Sequence, residues 1–156
     1  ANAFNAKKVY YLGKKRFDRR GTVGTHHYVD LVFLDDSYAS IAKLKNEYTI
    51  VAIDNNVSNT RKLNEFDWIS LEKPPLMLFG EEGVGLTKEA LNLAEYAVEI
   101  PQFGSVRSLN VGTCSGILMY DYMMSLQNSK DCCGSQIKKY GETDNVQNGS
   151  FQLSLL

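Results

Sequence analysis

The run Pro75–Gly80, PLMLFG, carries no polar side chain. A strand with one wet face alternates apolar and polar residues. A run without alternation has no face to offer water, so both faces must be covered. That is the situation of an interior strand in a parallel sheet with helices on both sides. Tyr48–Asp54, YTIVAID, reads as another strand. Lys8–Leu12 (KVYYL), Tyr28–Leu34 and Ala97–Ile100 are β-branched and aromatic segments that also read as strands. Gly13 ends the first and Pro101 the last. Between them, Ser37–Glu47 sets Ile41 and Leu44 at helical spacing behind a possible N-cap, Ser37. Thr87 is placed to cap a short helix with Glu89 in its first turn and Ala90, Leu91 and Ala94 on its apolar side. Leu109–Leu126 reads as the last helix. Strands alternating with helices predict an α/β domain with a mostly parallel sheet and flanking helices.

The chain has 156 residues, enough for one domain. No apolar run approaches the roughly 18 residues of a membrane span, and no continuous apolar segment marks a signal peptide. Cys114, Cys132 and Cys133 make no disulfide framework, and the adjacent pair lacks metal-ligand spacing, so reduced thiols and no metal are expected. The net charge of −1 conceals an uneven distribution. Lys7, Lys8, Lys14, Lys15, Arg16, Arg19 and Arg20 face a single acid, Asp18, within the first twenty residues. Such a segment is either a polyanion-facing surface or a solvated basic loop. Past Gln127 the pattern stops: Asn128–Ser150 holds only two aliphatic residues, Ile137 and Val146. We therefore expect a domain over 1–127 and a poorly ordered tail over 128–156. The closing Phe151–Leu156 is apolar enough to dock on something.

Two loops follow strands and carry unusual composition. Gly80–Leu86, GEEGVGL, allows close backbone approach by a ligand. It lacks the Lys-Ser/Thr of a phosphate loop, and its two acids suit a cationic or hydroxyl-rich ligand better than a phosphate. The second stretch is Phe103–Gly116, FGSVRSLNVGTCSG. Gly112 and Gly116 bare one helix face for close packing, and Ser108 could serve as an N-cap. Asn110 is an amide in an apolar helix and needs partners.

The stretch LMLFGEEGVGLTKEALNLAEYAVEIPQFGSVRSLNVGTCSGILMYDY resembles the C-terminal signature of the SpoU/TrmH-type RNA 2′-O-ribose methyltransferases of the SPOUT superfamily. The matching positions are Gly80, Glu82, Gly85 and Leu86, then Ile100-Pro101, then Ser108-Leu109-Asn110-Val111. The resemblance covers about a third of the chain closely, and Ala1–Asp54 more loosely. It implies a C-terminal deep trefoil knot that binds S-adenosylmethionine, a fold that no periodicity would reveal. Gly80, Ile100 and Leu109 match positions whose backbone groups hold the cofactor, with Ile53 a fourth candidate. Glu82, Ser108 and Asn110 match polar residues that support the site or the incoming ribose. Such proteins work as homodimers through the last helix.

The implied reaction is methylation of a ribose 2′-hydroxyl in tRNA or rRNA, in the cytoplasm or an organelle. It asks for alignment of the hydroxyl and help in removing its proton. The basic residues Lys14, Lys15, Arg16, Arg19 and Arg20 would then position RNA through its phosphates, with His26, His27 and Tyr28 nearby. One departure stands out. The family's first strand and an arginine proposed to act on the 2′-hydroxyl would match positions ahead of Ala1, so the sequence reads as lacking its beginning. The alternatives are a non-catalytic RNA- or cofactor-binding homologue and an unrelated α/β enzyme with an acidic glycine loop.

Overall fold

The computed structural model describes residues 1–13, 27–35, 37–81, 83–105, 108–131 and 152–155. The strands are β1 (Lys8–Tyr11), β2 (Asp30–Phe33), β3 (Thr49–Ile53), β4 (Arg61–Lys62), β5 (Pro75–Phe79), β6 (Tyr96–Glu99) and β7 (Gln152–Leu155). The helices are α1 (Ser37–Leu44), α2 (Lys88–Leu93) and α3 (Val111–Asp131). The strands form one sheet in the order β2-β1-β7-β5-β3-β6-β4, and every pairing between them is parallel.

The unbroken apolar runs have their explanation in the two layers that cover the sheet. Along β3, Ile50 and Ala52 join Tyr10, Ile41, Leu76, Leu78 and Ala90 in the cluster that includes residues of α1 and α2. Val51 and Ile53 join Met77, Phe79, Val98, Leu118, Met119 and Tyr122 in the cluster that includes residues of α3. All five residues of β3 and all five of β5 are buried. Fully burying one such Leu, Ile or Met side chain contributes about 1.5–3 kcal/mol. The two α-helices on the first face are tied by Tyr38 Oη and Thr87 Oγ1, 2.7 Å apart. Thr87 caps α2 as expected, its Oγ1 accepting from the Ala90 N–H at 3.2 Å.

The chain between β3 and β5 contains elements that no periodicity announces. After the two-residue β4, short 3₁₀ turns cover Leu63–Glu65 and Trp68–Ser70. They bury Leu63, Phe66 and Trp68 under α3. Trp68 Nε1 donates to Asp121 Oδ2 of α3 at 2.8 Å, and the indole meets Tyr122 edge-on with ring centroids 5.6 Å apart.

The end of the chain departs from the sequence expectation. α3 runs across residue 127 to Asp131, and Gln152–Leu155 forms β7 inside the sheet, between β1 and β5. Lys8 and Leu76 both stand opposite Gln152, and Tyr11 and Phe79 both stand opposite Leu155. The apolar closing segment thus docks as a strand whose two neighbours supply its ladder partners. A boundary at 127 therefore does not describe these two elements.

Candidate functional site

β3 lies between β5 and β6. From β3 the chain leaves for β4 on one flank, and from the neighbouring β6 it leaves through α3 for β7 on the other. Loops departing in opposite directions from adjacent parallel strands open a crevice at their C-terminal ends. A cleft of about 360 Å³ lies there. Its lining comes from the ends of β3 (Ile53, Asp54), β5 (Phe79, Gly80) and β6 (Glu99, Ile100), from the glycine loop, and from the start of α3 (Val111, Cys114).

The glycine loop turns back on its own strand. Gly85 N–H donates to Glu81 O at 2.8 Å, and Gly83 and Gly85 take the left-handed φ values of 89° and 77°. This fold-back lays Gly85 and Leu86 directly over Gly80, where a Cβ would stand 2.2 Å from the Gly85 carbonyl carbon. Glycine at position 80 is thus required by contact. Asp54 ties the loop to β3: its Oδ1 accepts from Asn56 N–H at 2.8 Å, and its Oδ2 accepts a longer bond from Leu86 N–H at 3.4 Å.

At the start of α3 the cap is Asn110. Its Oδ1 accepts from Gly112 N–H at 2.9 Å and from Thr113 N–H at 3.4 Å, and its carbonyl accepts the Cys114 N–H at 2.8 Å. The sequence offered Ser108 for this role. The helix instead begins at Val111, two residues later than expected, which puts Asn110 at the N-cap and supplies its amide oxygen with partners.

The cleft brings together Ile53, Gly80, Ile100 and Leu109, with Ser108 beside them. Asn110 is exposed next to the cleft and is not part of its lining. Glu82 and the basic residues Lys14, Lys15, Arg16, Arg19 and Arg20 lie outside the described residues, as does His26. Sequence reasoning did not find Asp54, Asn56, Glu99 or Cys114, which reach the cleft through the juxtaposition of separate strands. Burial pushes the Cys114 thiol up to about 11.

The described lining carries three carboxylates, Asp54, Glu81 and Glu99, and no cationic side chain. Glu99 is partly occupied, since its Oε2 accepts from Thr60 Oγ1 at 2.9 Å. The lining also holds the apolar Ile53, Phe79, Ile100, Leu109 and Val111. Apolar side chains together with carboxylates suit a partly apolar ligand that carries a positive charge, and the volume is in the range of small-molecule sites. Among the described residues no cluster of His, Cys, Asp and Glu could hold a metal ion, and no helix is long and apolar enough to cross a membrane.

The model of the SpoU rRNA Methylase family matches residues 1–120. The tRNA (guanosine(18)-2′-O)-methyltransferase of Escherichia coli is 32% identical over 90 residues, 58% of this chain and 38% of the relative. The enzyme of that name from Thermus thermophilus is 33% identical over 98 residues, 63% of this chain and 49% of the relative. The chain thus spans less than half the length of these two curated relatives. Among solved structures, the A. aeolicus TrmH/SpoU tRNA modifying enzyme superposes with a TM-score of 0.70 at 26% identity, over 90% of this chain and 71% of that one. The SpoU methyltransferase AviRb from Streptomyces viridochromogenes, in complex with the cofactor AdoMet, superposes with a TM-score of 0.66 at 21% identity, over 79% of this chain and 51% of that one. At that identity the likeness is one of fold.

Proposed function

The chain belongs to the SpoU rRNA Methylase family, and from that premise we propose that it takes part in S-adenosylmethionine-dependent 2′-O-ribose methylation of RNA, with tRNA or rRNA as substrate. The observation that carries the reading is the convergence of Ile53, Gly80, Ile100 and Leu109, from four separate segments, on one cleft at the C-terminal strand ends. In this reading their main-chain groups hold the cofactor. When bound, S-adenosylmethionine supplies an electrophilic methyl group on a sulfonium.

The protein's own part is alignment and proton handling. The three carboxylates of the lining favour a cationic donor over its neutral product. Ser108, exposed at the cleft, would offer its hydroxyl to the incoming ribose. Asn110 spends its Oδ1 on the helix N-terminus, which fixes the amide and leaves Nδ2 as the group to meet a hydroxyl. Glu82 completes the proposed polar set. Lys14, Lys15, Arg16, Arg19 and Arg20 would hold the RNA backbone.

The proposed assembly is a homodimer through α3, and the proposed topology is the trefoil knot of the SPOUT superfamily. Support for the dimer comes from the outward face of α3. A Cβ on Gly116 would meet nothing within 4 Å, and Tyr120 is 58% exposed. Leu118, Met119 and Tyr122 pack inward. We place the protein in the cytoplasm, a compartment that suits an RNA substrate and the free Cys114 thiol. Calorimetric titration with S-adenosylmethionine tests the cofactor assignment. Micromolar binding with about one site per chain is expected, and the absence of binding would overturn the cofactor assignment.

A further inference from the structure

Among the described residues, the most exposed large apolar side chain is Phe103, at 99%, and the next two are Tyr28 at 77% and Val84 at 75%. Two of these three stand on the two loops that frame the cleft. Val84 belongs to the glycine loop and forms part of the lining. Phe103 belongs to the loop between β6 and α3, whose Gln102, Ser108 and Leu109 line the cleft while Phe103 does not. A small molecule seated in the cleft would thus leave the Phe103 ring in water. What approaches the cleft from solvent would meet it. At 99% exposure the ring is approachable on both faces.

We infer that Phe103 is a stacking platform for an unpaired base of the RNA substrate, beside the ribose that presents its 2′-hydroxyl; this rests on the RNA methylation proposed above. A ribose can enter the cleft only if its nucleotide leaves regular A-form stacking. A base so released has two bare π-faces and needs a new partner. An aromatic ring supplies one without sequence preference, because every base has a π-face. The three carboxylates of the described lining disfavour a phosphate there, which leaves the base as the group to be held beside the cleft. A second copy of the chain could also cover the ring, and the test separates that case.

The test compares the full chain with Phe103→Ala, Phe103→Leu and Phe103→Trp, at saturating S-adenosylhomocysteine. Unmethylated tRNA and ribosomal RNA transcripts are the two probes, and fluorescence anisotropy reads affinity. Base–aromatic stacking corresponds to a loss of roughly 5- to 150-fold when the ring is removed. Phe103→Ala and Phe103→Leu should both show that loss on the transcript that the wild type binds. Phe103→Trp should bind as the wild type does, and S-adenosylhomocysteine affinity should stay within about twofold in all three. Wild-type RNA affinity in Phe103→Ala would overturn the inference, and so would retention in Phe103→Leu, which keeps apolarity without a π-face. Loss of self-association by sedimentation in Phe103→Ala would assign the ring to a contact between copies instead. If the wild type bound neither transcript, the RNA reading itself would fail and Phe103 with it.

Discussion

A single methyl group on Gly80 should disable the cofactor cleft. The added Cβ would lie 2.2 Å from Gly85 C, 2.4 Å from Leu86 N and 2.5 Å from Gly85 O. All three are backbone atoms, so no rotamer change relieves the clash. Ordinary carbon contacts begin near 3.5 Å, so the loop would have to retreat by more than about 1 Å. That retreat puts at risk the Gly85–Glu81 hydrogen bond of 2.8 Å and the longer Leu86–Asp54 bond of 3.4 Å. Overpacking of this kind costs about 1–3 kcal/mol, and a lost hydrogen bond about 0.5–1.5 kcal/mol. If one to three of these kilocalories fall on ligand binding, the affinity drops by roughly 5- to 150-fold. Gly80→Val should abolish binding. Two controls isolate the cause. Gly104→Ala meets nothing within 4 Å and should bind normally. Gly83→Ala also meets nothing, but its φ of 89° imposes a backbone strain of about 1–2 kcal/mol. The assay is calorimetric titration with S-adenosylhomocysteine, with thermal melting to confirm that each variant is folded. A folded Gly80→Ala protein with unchanged affinity would refute the reasoning.

Four further outcomes are expected. Asn110→Ala removes the α3 cap and should cost about 0.5–2 kcal/mol of stability by denaturant titration, while Asn110→Asp should restore it; methyl transfer still absent in the aspartate variant would separate the amide's chemical role from its cap. Arg16→Ala with Arg19→Ala and Arg20→Ala should weaken RNA binding and lower its salt slope by about one unit per lost phosphate contact, with cofactor affinity unchanged; an unaltered slope would leave the segment a solvated surface. Tyr120→Asp with Met124→Lys should give a monomer by sedimentation that binds cofactor poorly, and the wild-type contact should bury more than about 1,000 Å²; a monomeric wild type at micromolar concentration would remove the dimer. Burial raises Cys114 to about 11 and Tyr10 and Tyr122 each to about 12, so the folded chain holds these protons longer than the unfolded chain. Their contribution is fully present below about pH 9 and is lost as pH rises to about 12, so melting temperature should fall across that window, and Cys114 should alkylate slowly at about pH 8.

The fold's interior was legible because its physics is local. The run PLMLFG carries its burial on both faces in the sequence itself, YTIVAID reads as a strand from its β-branched residues, and Thr87 with Glu89 announces a helix start two ways at once. The segment between β3 and β5 was not legible. Trp68 owes its place to a hydrogen bond with Asp121, 53 residues away, and a two-residue strand has no period to read. The choice of Asn110 over Ser108 as cap was equally hidden, since both residue types cap well and the sequence alone does not say which of them the first helical turn follows. β7 was hidden by its setting. Four residues after a long polar stretch look like a tail until β1 and β5 are seen to flank the place they fill. In the site, the glycine loop and Leu109 stood out through motif spacing. Asp54 did not, because a carboxylate that ends one strand acquires its role only when the neighbouring strand's loop folds over it.

The most direct test of the central claim is methyl transfer itself. The full-length protein is incubated with tritiated S-adenosylmethionine and RNA from a strain deficient in 2′-O-methylation, and the labelled RNA is hydrolysed with alkali. A 2′-O-methyl group blocks the adjacent cleavage, so the account predicts label in alkali-stable dinucleotides, transferred by the wild type and lost with Gly80→Val. Label on a mononucleotide base, or binding of the cofactor without any transfer, would contradict it.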